Sequence, residues 1–116
     1  MHNTIILPLS AALALASLLA TAEDQASAGD TQQGKQSFLS AGCHHCHGMV
    51  AQGARGPTMA AMKYPYEAFE FLVRKPAGGG MPPYSAAQLP DTELRNIYAY
   101  LASLPGPSED LPDLLR

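Results

Sequence analysis

The stretch Cys43-His44-His45-Cys46-His47 decides how this chain folds and what it can bind. Two thiols separated by two residues and followed at once by an imidazole form the attachment signature of c-type haem. In that chemistry the thiols add across the two vinyl groups of the porphyrin, and the imidazole becomes the proximal ligand of the iron. The motif therefore predicts one covalent haem c, with thioethers at Cys43 and Cys46 and with His47 as an iron ligand.

Three other kinds of site use a similar pair of cysteines. A zinc site would need two histidines besides Cys43 and its partner, and the chain offers only His2, His44, His45 and His47. A thioredoxin-like motif should follow a strand, whereas no β-branched strand precedes Cys43. A structural disulfide would leave the adjacent His47 without a role. These alternatives stay open from the sequence, but only the haem interpretation uses all three side chains.

The composition indicates one small globular domain with an export signal. The chain has 116 residues, of which 47% are hydrophobic and 15% charged. Residues 2–22 carry no formally charged side chain, and residues 5–22 are almost wholly apolar and end in a small-residue cleavage pattern. This predicts a signal peptide over residues 1–22 and export to the periplasm. An uncleaved anchor is the alternative, since the positive charge at its start is weak. We expect a flexible segment over residues 23–29, the haem domain over residues 30–105 and a loose tail over residues 106–116.

Apolar side chains recur at three- and four-residue spacing in three stretches, which indicates helices. The first begins at Asp30 or Thr31 and runs into a glycine, and the others cover residues 66–74 and 91–104. Glycine- and proline-rich stretches separate them and predict irregular loops. The apolar face of the last helix is formed by Leu94, Ile97, Tyr98, Leu101 and Leu104. The fold class that we predict is therefore all-α.

Met81 is the candidate for the sixth iron ligand. It lies 34 residues after His47, which is enough chain to pass round a porphyrin. A glycine before it permits close approach, and two prolines after it stiffen the backbone. Met59 and Met62 are the alternatives, although their Ala-Met-Ala-Ala-Met setting is more typical of core packing.

The chain resembles the class I monohaem cytochromes c along most of residues 34–101. The matching segments are Gly34-Lys35-Gln36-Ser37-Phe38, Cys43-His44-His45-Cys46-His47-Gly48, Gly56-Pro57, Met81-Pro82-Pro83-Tyr84 and Ile97-Tyr98-Ala99-Tyr100-Leu101. The resemblance implies a small all-α fold in which the N- and C-terminal helices cross at right angles over a covalently bound haem. The residues implied at that crossing are Gly34, Phe38, Ile97 and Tyr100.

The same resemblance gives Pro57 a role beside the haem. It implies that the Pro57 carbonyl accepts a hydrogen bond from the imidazole of His47 and so orients the proximal ligand. Within the class, the chain is similar to the cytochrome subunits of flavin-dependent phenol-oxidising complexes such as p-cresol methylhydroxylase. That similarity is carried by Phe38-Leu39-Ser40-Ala41-Gly42-Cys43, Ala51-Gln52-Gly53 and Val73-Arg74-Lys75-Pro76 followed by Met81-Pro82.

Ligation of the iron by His47 and Met81 would leave no coordination position open. We therefore expect a one-electron carrier and not an enzyme, passing electrons from a periplasmic dehydrogenase to a higher-potential acceptor. The rival hypothesis is a haem enzyme or gas-binding sensor with an open sixth site. The expected partners are redox proteins, with a flavoprotein or a molybdenum dehydrogenase as candidate donors. We expect no nucleic-acid partner, because the chain has no basic patch, and no stable membrane association after signal cleavage.

Charge is unevenly distributed along the chain, whose formal net charge is −3. Residues 31–66 contain three cations, Lys35, Arg55 and Lys63, and no carboxylate. Carboxylates dominate from residue 91 onward, at Asp91, Glu93, Glu109, Asp110 and Asp113. We therefore expect a basic docking face for an acidic partner. The resemblance places the exposed porphyrin edge on that face, beside Ala51, Gln52, Gly80, Pro82 and Pro83. An ordinary mixed-sign surface is the alternative.

Overall fold

The structure, a computed structural model, describes residues 29–107. Within this range the chain forms helices α1 (Thr31–Ser40), α2 (His44–His47), α3 (Tyr66–Arg74) and α4 (Asp91–Ser103) and no β-strand. The predicted all-α class is therefore confirmed. The predicted signal peptide and nearly all of the predicted tail lie outside the described residues. No helix in the described range has the length and apolarity needed to cross a membrane.

Helix α1 is capped at both ends by its own neighbouring residues. At its start, Oδ1 of Asp30 accepts hydrogen bonds from the backbone N–H groups of Gln32 and Gln33 at 2.9 and 2.8 Å. At its end, Gly42 has a φ of 79°, which only glycine adopts without strain. Gly42 N–H donates to a helix carbonyl, and Cys43 N–H donates to the carbonyl of Phe38 at 3.2 Å, in the Schellman arrangement. This turn directs the chain from α1 into the cysteine motif.

The close contact between α1 and α4 depends on Gly34. A Cβ atom built on Gly34 would overlap the carbonyl oxygen of Asn96 and lie 2.9 Å from Cβ of Tyr100. One turn further along, the rings of Phe38 and Tyr100 pack with their centroids 5.7 Å apart. The start of α1 is joined to the middle of α4 by a hydrogen bond from the backbone N–H of Asp30 to Oδ1 of the buried Asn96, at 2.8 Å. The first and last helices are thus fastened to each other, as the resemblance implies.

The remaining helices lie close to where the sequence predicts them. Helix α3 covers the predicted residues 66–74, and Pro65 lies one residue before it as its N-cap, with a ψ of 150°. Helix α4 ends at Ser103, one residue before the predicted end, because Leu104 has an extended backbone. Leu72 is 44% exposed although it belongs to the predicted apolar face of α3. It lines a cavity, so its exposed surface faces that space.

The apolar core forms one side of this cavity. The large buried side chains are Phe38, Phe69, Val73, Leu89, Leu94, Ile97, Tyr100 and Leu101. All of them except Tyr100 also line the cavity. Because so few side chains are packed on both sides, the core of the polypeptide alone is small for a domain of this size. A group that fills the cavity would complete it.

Gly34→Ala should destabilise the protein, although alanine favours a helix over glycine by about 1 kcal/mol. The added methyl group meets backbone atoms of α4 that cannot move without separating the helices, and overpacking of this kind costs about 1–3 kcal/mol or more. We expect the free energy of unfolding of the haem-loaded protein, measured by denaturant titration, to fall by about 1–3 kcal/mol.

Gly79→Ala is the matched control, because a Cβ built on Gly79 has no atom within 4 Å. Its free energy of unfolding should change by less than about 0.5 kcal/mol, or rise slightly because the unfolded chain loses entropy. A Gly34→Ala protein as stable as the wild type would contradict the close α1–α4 contact.

Candidate haem site

A single large cavity gathers the residues that the sequence singles out. Its volume is about 1230 Å³, larger than the roughly 300–1,000 Å³ of most small-molecule pockets. Cys43, Cys46, His47 and Met81 all line it, together with Pro57. The sequence separates these residues by up to 38 positions, so the fold brings them together. The cavity is therefore the place to test whether they can hold one cofactor.

The loop after α2 holds the cysteine motif through backbone hydrogen bonds. The carbonyl of Cys46 accepts from the N–H of Gly56 at 2.8 Å, and the carbonyl of His47 accepts from the N–H of Gly53 at 2.7 Å. Helix α2 spans only four residues, so its last carbonyls have no partners inside the helix. The loop over residues 48–57, called the proximal loop here, folds back against the motif and donates hydrogen bonds to these carbonyls.

This loop also orients the imidazole of His47. Nδ1 of His47 lies 2.9 Å from the carbonyl oxygen of Pro57, and the side chain is only 8% exposed. A carbonyl oxygen can only accept, so Nδ1 carries the proton and Nε2 carries the free lone pair. Gly56 packs on the ring, since a Cβ built there would lie 2.8 Å from Cε1 of His47. The sequence marks Gly56 only as part of the matching segment Gly56-Pro57 and does not reveal this contact with the imidazole.

Both cysteines are free thiols at the cavity wall, and both are half-buried. Burial raises the pKa of the Cys43 thiol above its ordinary value, and a hydrogen bond from its own backbone opposes this only partly. Cys43 therefore stays a neutral thiol at neutral pH before any attachment. The two sulfur atoms are accessible from the same cavity that His47 faces, as a doubly attached group would require.

Three methionines line the cavity, and not Met81 alone. Met59, Met62 and Met81 are all half-buried and packed against the core. The backbone N–H of Met59 donates to the proximal loop, at the carbonyl of Ala51, with a distance of 2.8 Å. The backbone N–H of Met62 donates to Leu101 in α4 at 3.3 Å. The choice of Met81 as sixth ligand stays a prediction.

Tyr84 and Arg74 have roles that the sequence did not reveal. The hydroxyl of Tyr84 donates to the carbonyl of Ala41, just before the cysteine motif, at 2.9 Å. The guanidinium of Arg74 donates to the carbonyls of Tyr84 and Leu89 at 3.0 and 2.8 Å and pairs with Asp91 at 2.6 Å. Tyr84 was visible only as part of a family signature. Arg74 is the last residue of α3 and its only cation, a signal that the sequence does contain.

One expectation about the rim of the cavity is wrong. Ala51 was expected beside an exposed porphyrin edge, but it is completely buried, with a φ of 56°, and its carbonyl accepts the N–H groups of Met59 and Ala60. It supports the proximal loop from inside. In the attachment motif, His44 is half-buried, and its Nδ1 has no hydrogen-bond partner among the described residues.

The charged residues at the cavity wall are both cationic. Among the described lining residues these are Arg55 and Lys63, while Lys35 on α1 does not reach the cavity. Gly80 and Pro82 line the cavity as the docking hypothesis requires, but Gln52 and Pro83 do not.

In the described range, no three or more His, Cys, Asp or Glu side chains are grouped so that they could hold a metal ion. The zinc alternative would have needed such a group.

The residues present fit a haem c. Two reduced thiols, a buried imidazole with Nε2 free and three thioethers share one cavity with a mostly apolar wall. These are the donors that attach a porphyrin and ligate its iron. The backbone of Gly56 packs so closely on the imidazole that a Cβ there would overlap the ring. The orientation of His47 is therefore fixed by the protein, as an iron ligand requires.

Comparison with known proteins agrees with this chemistry. The family model described as cytochrome C oxidase, cbb3-type, subunit III, matches residues 29–101, well over half of the chain. No curated protein and no solved structure shows a significant match to the chain. Domains of this family are c-type cytochromes, typically exported or membrane-associated, and they serve in haem-based electron transfer. The chain therefore belongs to this family, as a class I monohaem c-type cytochrome domain that carries a covalently bound haem c with iron.

Proposed function

We propose that the protein is a one-electron carrier whose haem iron is ligated by His47 and Met81. The observation that carries the proposal is one cavity lined by both thiols, by the imidazole of His47 and by the thioether of Met81. When bound, haem c supplies reversible one-electron chemistry at its iron. The protein residues attach it, ligate it and keep water from it.

Each residue of the motif has a separate task in this proposal. Cys43 and Cys46 form the two thioether bonds, which hold the cofactor whatever the oxidation state of the iron. His47 offers Nε2 to the iron while Nδ1–H donates to Pro57 at 2.9 Å. This hydrogen bond strengthens the donor character of the imidazole and prevents the ring from rotating between oxidation states. Little reorganisation then accompanies electron transfer.

Met81 is the sixth ligand in this proposal because Met59 and Met62 are tied elsewhere. Met59 lies two residues after Pro57, whose carbonyl binds the proximal side of His47. The backbone of Met62 is bonded to α4. A thioether is a neutral ligand, and an apolar cavity disfavours the extra charge of ferric iron, so both raise the reduction potential. Met81 also closes the iron to outside ligands.

The rival hypothesis is an enzyme or a gas sensor with an open sixth site. A peroxidase needs an acid–base side chain on the distal side. The imidazoles among the described cavity-lining residues are His45 and His47, and both belong to the attachment motif. The described wall contains no carboxylate. An electron carrier therefore agrees better with the side chains that line the cavity.

For the partners, we propose a periplasmic dehydrogenase as donor and a higher-potential redox protein as acceptor. The similarity to cytochrome subunits of p-cresol methylhydroxylase-type complexes favours a flavoprotein donor, and a molybdenum dehydrogenase is the second candidate. Arg55 and Lys63 at the cavity mouth favour an acidic patch on the partner. Export with a cleaved signal peptide over residues 1–22 belongs to the same proposal.

The haem should stay on the protein after unfolding. Protein matured in a periplasm with a haem-attachment system should keep its colour in acid acetone and on denaturing gels, because thioether bonds to Cys43 and Cys46 survive both. The double variant Cys43→Ala/Cys46→Ala should release all of its colour, and His45→Ala should release none. Colour extracted from the wild type, or a colourless zinc-loaded product, would contradict covalent attachment.

Met81→Ala should open the iron, whereas Met59→Ala and Met62→Ala should not. The ferric wild type should show the weak red-end absorption band that sulfur ligation produces, and only the Met81 variant should lose it. The same variant, once reduced, should bind carbon monoxide readily, because its sixth position is vacant. Loss of the band in a Met59 or Met62 variant would reassign the ligand, and rapid carbon monoxide binding by the wild type would favour the rival hypothesis.

The rate at which the reduced protein reacts with hexacyanoferrate(III), a small anionic oxidant, should fall as salt is raised. The relevant salt range runs from about 0.01 M to about 0.15 M ionic strength, over which the Debye length shrinks from about 30 Å to about 8 Å. Arg55→Glu and Lys63→Glu should slow the reaction at low salt, and Lys35→Glu is the matched control because it changes the net charge equally away from the cavity.

An equal effect of all three reversals would show that net charge, and not a basic face, governs the reaction. A rate that is independent of salt would mean that the haem carboxylates neutralise Arg55 and Lys63.

A further inference from the structure

The segment that carries Met81 is hydrogen-bonded to the rest of the protein only through the residues that flank it. Residues 76–83, called the Met81 loop here, make no hydrogen bond to any other described residue. A Cβ built at Gly78, Gly79 or Gly80 would have no atom within 4 Å, so nothing packs on that part of the backbone. Met81 itself is half-buried against the core. Something beyond the loop must therefore fix where the methionine lies.

Tyr84 is the first residue after the loop that is fastened to the rest of the protein. Its N–H donates to the carbonyl of Val73 at 3.1 Å, and its own carbonyl accepts from Arg74 at 3.0 Å. Its hydroxyl donates to the carbonyl of Ala41 at 2.9 Å. Burial raises the pKa of the phenol, so the group keeps the proton that it donates. Tyr84 thus joins α3 to the turn that leads into Cys43.

Arg74 holds the same region through three acceptors. Its side chain is 16% exposed, and one guanidinium nitrogen donates to the carbonyls of both Tyr84 and Leu89. The other pairs with Asp91 at the start of α4. A planar guanidinium can reach several acceptors at fixed angles, which the single ammonium of a lysine cannot do. Arg74 therefore sets the distance between α3, the end of the Met81 loop and α4.

Two prolines connect this anchor to the methionine. Pro82 and Pro83 have fixed φ angles and leave little freedom between Met81 and Tyr84. The position of the anchor is thereby transmitted to the methionine, while Gly78, Gly79 and Gly80 on the other side impose no constraint. We infer that Tyr84 and Arg74 are positioning residues that hold Met81 at the iron, an inference that rests on the proposed assignment of Met81 as sixth ligand.

The consequence is measurable as competition for the iron. An added ligand such as imidazole must displace Met81, so its apparent affinity equals its intrinsic affinity multiplied by the fraction of molecules in which the methionine is free. Weakening the anchor raises the fraction in which Met81 is free. The apparent affinity then rises even though no residue that touches the iron has changed.

The test uses imidazole titration of the ferric, haem-loaded protein. Tyr84→Phe removes one hydrogen bond without changing shape and should raise the apparent imidazole affinity about fivefold. Arg74→Lys keeps the charge but loses acceptors and should raise it about tenfold or more. Without imidazole, both variants should keep the sulfur-ligation band, because Met81 is still the ligand.

Tyr98→Phe is the matched control. It also removes one bond from a tyrosine hydroxyl to a distant backbone carbonyl, that of Tyr64 at 2.7 Å, but has no connection to the Met81 loop. It should lower global stability about as much as Tyr84→Phe and change imidazole affinity less than about twofold. If Tyr84→Phe and Arg74→Lys raise the affinity no more than Tyr98→Phe does, the two residues are merely structural and the inference is overturned.

Failure of the proposed ligand set gives a different result. If Met81→Ala binds imidazole no more tightly than the wild type, Met81 is not the ligand and both proposals fall. If Met81→Ala raises the affinity strongly and Tyr84→Phe and Arg74→Lys do not, only the positioning role fails.

Discussion

The hydrogen bond from Nδ1 of His47 to the carbonyl of Pro57 is the constraint on which the site depends. It fixes the tautomer, and therefore makes Nε2 the nitrogen that can bind iron. It exists because the proximal loop folds back against α2. The N–H groups of Gly53 and Gly56 donate to the last two carbonyls of that helix. Gly56 has no side chain to push the ring away. The orientation of one lone pair thus rests on backbone geometry spread over ten residues.

The rest of the fold surrounds the space that this lone pair faces. Helices α1 and α4 are in close contact at Gly34, and side chains from both line one side of the cavity. Residues of the Met81 loop line another part of it. Most of the large buried side chains touch the cavity on one side, so the polypeptide has little core of its own. Because the attached porphyrin is buried in the cavity in the native state and exposed to water in the unfolded chain, its burial adds to stability. The cofactor and the fold are therefore mutually dependent.

The sequence predicted the helices and the attachment motif well, because both depend on local patterns. Spacing of apolar residues marked α1, α3 and α4 to within a residue or two but did not reveal the four-residue α2, and the cysteine motif has one chemical use that accounts for His47. The sequence did not predict features that depend on contacts between distant segments. Ala51 was expected at the surface but supports a loop from inside, and the bonds of Arg74 and Tyr84 join segments up to 43 positions apart. Such pairings leave no periodic trace in a single sequence.

The most direct test of the account is the proton NMR spectrum of the reduced protein, in which low-spin iron is diamagnetic. A methionine bound to the iron lies over the porphyrin face, so the ring current shifts its methyl signal far upfield of all other signals. We predict one such three-proton signal that disappears in Met81→Ala and persists in Met59→Ala and Met62→Ala. A spectrum of the wild type without that signal, or a signal that survives in Met81→Ala, would contradict the proposed ligation.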